Sequence, residues 1–166
     1  MTFKELLIKL DACESAKEWA RDMPIEEIVS TCHRGDWLLW LAKKVDVDLR
    51  LRTLAKGHCA NTVRRLMEDE RSINAVNVAI AFGEGKATRE ELDAAAVGAV
   101  AVATVAAAAY AAAVSAADAA VAAAVAAADA AYVSVAANRQ QAADICRQYI
   151  GAALIEKVNQ LLNQNE

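Results

Sequence analysis

The chain has 166 residues, enough for one domain with a real core, and its 18 basic and 22 acidic side chains leave a formal charge of −4. That balance excludes a chain-wide basic field and disfavours nucleic acid as a partner. One proline, six glycines and 57% hydrophobic residues exclude disorder and turn-rich β folds. The predicted fold class is all-α: a helical bundle in one domain, 1–166, with short amphipathic helices over 1–85, an alanine-rich helical tract over 86–137 and a C-terminal helix over 138–166.

Thr2-Phe3-Lys4-Glu5 is a capping box, in which the threonine oxygen takes an orphan backbone donor and the glutamate reaches back to the cap. It predicts a helix from Phe3 whose stripe of Leu6, Leu7, Leu10, Cys13 and Ala16 runs on to about Arg21, with a kink at Asp11. Pro24 suits the first turn of a helix over 25–32. Gly35 then reads as a break and Asp36 as the next cap. The segment DWLLWLAKKV is apolar over most of its circumference and is expected to run through the core. Trp40 nevertheless falls between Lys43 and Lys44. Either both lysine stems cover a buried ring, or Trp40, Lys43 and Lys44 form an interface anchor.

Asp48 caps LRLRTLAKGHCANTVRRLMEDE, read as one helix with Leu51, Ala55, Cys59, Thr62, Val63 and Leu66 on one side. Arg50, Asn61, Arg64 and Arg65 gather on the other, a face suited to phosphate or an acidic partner, or simply a solvated one offset by Glu68, Asp69 and Glu70. INAVNVAIAF ends at Gly83, EGK supplies a hinge, and Thr88-Arg89-Glu90-Glu91 is a second capping box. The four cysteines, Cys13, Cys32, Cys59 and Cys146, lie far apart, which predicts free thiols in a reducing cytoplasm. Cys32-His33 and His58-Cys59 are immediate neighbours that point in different directions, so no metal site is predicted.

From Thr88 a helical pattern continues to the terminus; as one rod it would exceed roughly 100 Å, so it is expected to fold back, with the break near Ala136–Arg139. Ala94–Ala117 carries no charge, but it lacks Leu, Ile and Phe and is flanked by Asp93 and Asp118, so no membrane span is predicted. Within the tract Thr104 and Ser115, Val114 and Val125, and Asp118 and Asp129 are each eleven apart, while Tyr110, Val121 and Tyr132 extend the same step. That period lines each set up along a helix axis. Smooth alanine faces favour close helix packing, and the ridge of Tyr110, Asp118, Asp129 and Tyr132 is either core or partner surface. Alanine-rich antifreeze helices share the period, but the threonine register lapses at Ala126.

ACESAKEWA, STCHRGDWLLWLAKKVDVDLR, LAKGHCA, GKATREELDAAA and ADICRQYI together resemble an immunity-protein family of bacterial and phage genomes over nearly the whole chain, most specifically in DWLLWLA. The resemblance implies protection by binding: a cytoplasmic protein in a bacterial cell, or a phage-encoded anti-defence factor, that sits on a toxin or immune effector. It carries over no catalytic residue. Nor does the sequence contain a Ser-His-Asp arrangement, a phosphate-binding glycine loop or a dinucleotide fingerprint, so no enzyme and no cofactor are predicted. Asp118 and Asp129, about 16 Å apart on a straight helix, are too distant to act as a pair. The expected contacts with a protein target are Trp40, Lys43, Lys44, Arg50, Arg64, Arg65, Tyr110, Asp118, Asp129 and Tyr132. A self-assembling module paired through alanine faces is the alternative, with ice binding behind it.

Overall fold

The computed structural model describes residues 1–62, 64–66, 69–98 and 121–164, and among them all regular structure is helical. The elements are α1 (Phe3–Lys9), α2 (Glu14–Ala20), α3 (Ile25–Thr31), α4 (Gly35–Lys44), α5 (Leu49–Asn61), a 3₁₀ turn (Arg64–Leu66), α6 (Glu70–Gly83), α7 (described over 89–98) and α8 (Val121–Asn163).

The starts follow the capping chemistry. Thr2 Oγ1 accepts from Glu5 N at 3.2 Å while Glu5 Oε2 accepts from Thr2 N at 2.8 Å, and Thr88 and Glu91 repeat the exchange at 3.2 and 2.7 Å. Asp48 Oδ1 accepts from Arg50 N and Leu51 N, and Asp69 caps α6 in the same way through Arg71 N. Pro24 stands one place outside α3, as its N-cap.

The ends use one device three times. After α1, Ala12 N donates to Leu7 O and Asp11 N to Ile8 O, with Asp11 at φ 60°. After α4, Val47 N donates to Ala42 O and Asp46 N to Lys43 O, with Asp46 at φ 54°. After α6, Lys86 N donates to Ala81 O and Gly85 N to Phe82 O, with Gly85 at φ 78°. This is the Schellman closure, in which a left-handed residue satisfies the last carbonyls. Asp11 is therefore a full stop between two helices, where a kink in one helix was expected.

α8 is the spine. Ala143, Cys146, Ile150, Leu154 and Val158 recur at three and four residues, and all are completely buried. They meet Leu6 and Leu7 of α1, Ile25, Ile28 and Val29 of α3, Leu38, Leu41 and Ala42 of α4, and Ala55 of α5 in one apolar cluster. Each large aliphatic in that stripe contributes roughly 1.5–3 kcal/mol by leaving water. Polar links fix the register with α3: Asn159 Nδ2 donates to Glu26 Oε1 at 2.9 Å, and Arg147 donates to Val29 O and Cys32 O at 3.3 and 2.7 Å, covering the exposed carbonyls at the end of α3. α5 and α6 form an antiparallel hairpin in which Gly57 meets Ile80 and Gly83 meets Leu54.

Three expectations are corrected. Gly35 is the first residue of α4, with Arg34 as its N-cap, and Asp36 lies inside the first turn; the small residue is needed there because α8 passes within contact distance of its Cα. The helix begun at Asp48 stops at Asn61, and Arg64 and Arg65 belong to a separate turn. No break occurs near Ala136–Arg139, for α8 is continuous over 43 residues, about 64 Å. The AANRQQ sequence changes composition but contains no glycine or proline to interrupt a helix.

Candidate functional site

The three tryptophans come from two helices. Trp19 of α2 and Trp37 of α4 approach to 5.9 Å between ring centroids, and His33, in the linker between α3 and α4, completes a triangle at 6.0 Å from Trp19 and 6.3 Å from Trp37. Trp40 lies one turn beyond Trp37. All three indoles are half-buried and packed against the core cluster. Beside them a small apolar crevice is lined by Phe3, Leu7, Ile28 and Leu38. Above, Trp37 and Trp40 form one wall of an open depression of about 640 Å³, and Asp11, Ala12, Cys13 and Ala16 form the other.

Charge is arranged at the rim. Arg34 lies over the Trp37 ring at 4.7 Å and holds Asp36 with both arms, Nε to Oδ1 at 2.8 Å and Nη2 to Oδ2 at 2.5 Å. The guanidinium keeps the Asp36 carboxyl below its ordinary value. On the next turn Lys44 Nζ stands 5.5 Å above the Trp40 ring, and Lys43 and Lys44 are both exposed. Trp40 thus combines the two readings open in the sequence: a lysine covers part of the ring, and the ring still walls a solvent-facing hollow. An indole packed against the core is pre-ordered for contact, which limits the entropy lost on binding.

The arginines disperse. Arg50 Nη1 donates to Phe82 O at 2.6 Å and its guanidinium stacks on the Phe82 ring at 4.5 Å, so it caps the end of α6. Arg64 Nη1 donates to Asn77 Oδ1 at 2.5 Å, midway along α6, and Arg65 beside it is exposed. These side chains occupy opposite ends of the α5–α6 hairpin and form no common face. Of the expected ridge, Tyr110 and Asp118 lie outside the described residues; Asp129 and Tyr132 lie on α8.

Sequence reasoning named Trp40, Lys43 and Lys44 but not Trp19, His33, Arg34, Asp36 and Trp37, which the fold places around them. Trp37 could have been found from its one-turn spacing to Trp40; Trp19 could not, because only the Asp11 closure turns α2 back toward α4. Elsewhere His58 stacks on Tyr149 at 4.5 Å with rings 7° from parallel, and among the described residues no three His, Cys, Asp or Glu side chains are grouped to hold a metal. Burial pushes the Cys32 thiol up, away from reactivity. No described helix is long and apolar enough to cross a membrane.

The fold and this surface define an all-helical protein presenting a tryptophan-lined hollow with a mixed-charge rim. No protein-family model, curated protein or solved structure matches the chain.

Proposed function

We propose that this protein is a stoichiometric protein-binding inhibitor that acts in the cytoplasm, an immunity protein against a bacterial toxin or a phage-encoded factor against an immune effector. The observation that carries the reading is the Trp37–Trp40 wall, with Arg34 and Lys44 over its rings and Lys43 beside it. Tryptophan and arginine are the residue types that dominate binding energy when buried by a partner. The lysines favour a target whose contact surface is acidic. Binding without chemistry also fits the use of both histidines in ring packing.

The test is affinity capture from the natural host on immobilised wild-type chain, beside the Trp40→Ala and Lys43→Glu variants. A stoichiometric toxin or effector, neutralised by the wild type and bound about 30-fold more weakly by Trp40→Ala, is expected. Wild-type affinity in both variants would refute the surface, and a chain that only self-associates would refute the inhibitor reading.

A further inference from the structure

Cys59 and Cys146 are separated by more than half of the chain, yet α5 packs along α8 and sets the Cys59 thiol against the turn that precedes Cys146. Cys59 Sγ donates to Ala142 O at 3.8 Å, one helical turn before Cys146 on α8, and a helical side chain lies over the turn that precedes it, so the two thiols are neighbours. Cys146 Sγ donates to Gly35 O at 3.6 Å, at the first residue of α4. The two sulfurs differ in access. Cys59 is half-buried, whereas Cys146 is completely enclosed.

We propose that Cys59 and Cys146 are a thiol pair that closes reversibly to a disulfide in the presence of a low-molecular-weight disulfide, pinning α5 to α8. Cys59 is the attacking sulfur. The neighbouring Cys146 thiol lowers the pKa of Cys59, against the opposing effect of burial, while proximity to Cys59 and its own burial raise that of Cys146. The thiolate is the nucleophile in such exchange. In the first step Cys59 attacks one sulfur of oxidised glutathione, its S–S bond breaks, and one glutathione leaves as thiol with the proton that Cys59 gave up. In the second, Cys146 attacks the Cys59 sulfur and the second glutathione leaves with the Cys146 proton. Two protein thiols are oxidised and one glutathione disulfide is reduced to two thiols.

Closure has a structural consequence. An oxidised Cys146 has no S–H to donate, so the bond to Gly35 O is lost at the start of the helix that carries Asp36, Trp37 and Trp40. The redox state of the pair is thereby coupled to the tryptophan surface through α4.

The experiment uses the folded full chain with the exposed Cys13 replaced, Cys13→Ser, incubated with excess oxidised glutathione and mapped by mass spectrometry. The expected product is a Cys59–Cys146 cross-linked peptide, two released glutathiones per chain, and an indole emission shift that dithiothreitol reverses. Adding Cys146→Ser should arrest the reaction at a glutathione adduct on Cys59; adding Cys59→Ser should leave Cys146 unmodified. A lasting adduct on Cys59 in the chain that retains Cys146, or a bridge from Cys146 to Cys32 instead, would overturn the pairing. The map of the Cys13→Ser chain decides this even where a second serine substitution fails to fold. A cross-link that leaves emission unchanged would overturn the coupling to α4.

Discussion

Replacing Gly35 with alanine would set a Cβ 2.6 Å from the Ala142 carbonyl carbon, 2.7 Å from Ala142 Cβ and 2.8 Å from the Ala143 nitrogen. Two of those atoms are helical backbone and the third is a Cβ fixed to it, so no side-chain rotation relieves the clash. α4 and α8 would have to separate by about 1 Å, which loosens the contacts of Leu38 and Ala42 with the spine. Overpacking of this kind costs about 1–3 kcal/mol, and the better helix propensity of alanine returns less than about 1 kcal/mol at a first helical position. The expected net loss is about 2 kcal/mol, or about 4–8 °C in Tm for a chain of this length. Thermal unfolding followed by far-UV circular dichroism reads it directly. Gly98→Ala is the control, because among the described residues its Cβ would meet nothing closer than Arg71 Cβ at 3.8 Å, and it should leave Tm unchanged or slightly higher. A Gly35→Ala chain as stable as the wild type would refute the close approach of α4 and α8, and with it the role of glycine as a contact residue there.

Leu154, fully buried at the middle of the α8 stripe, should cost about 2–5 kcal/mol as alanine, seen as a lower urea midpoint with unchanged slope. A loss below about 1 kcal/mol would mean that α8 is not the spine. The Arg34–Asp36 pair predicts a pH effect. Asp36 is held below its unfolded value near 3.8, so its contribution is present above that pH and disappears as pH falls through the lowered value. The stability difference between wild type and Asp36→Asn should accordingly vanish once pH falls below that lowered value, and, because the Asp36 carboxylate is exposed, stay within about 1 kcal/mol at neutral pH. A difference that persists undiminished in acid would show that the asparagine acts through something other than the lost charge.

Much of the architecture was written locally. Helical class follows from alanine-rich composition with a single proline, and the starts at Phe3, Leu49 and residue 89 follow from Thr2, Asp48 and Thr88, because a cap is a contact between residues three apart. The C-terminal stripe through Cys146, Ile150, Leu154 and Val158 is equally legible, since one face of a helix repeats at three and four residues. Stops were harder. Asp11 and Asp46 close helices in the left-handed conformation that glycine usually takes, so a search for glycine passes them by, while Gly35 serves close packing between helices and ends nothing.

What only the tertiary structure decided is which surfaces meet. Arg50 and Arg64 share a side in a helical projection, but that projection assumes a helix beyond Asn61, and packing against α6 gives each arginine its own partner, Phe82 O and Asn77. Trp19 reaches Trp37 because the chain reverses at Asp11, and Cys59 reaches Cys146 because α5 lies along α8. Neither pair leaves a mark in any window of neighbouring residues. The sequence determines its helices through short-range hydrogen bonds and periodic burial; the tryptophan hollow and the thiol pair arise only where helices distant in sequence are packed onto α8.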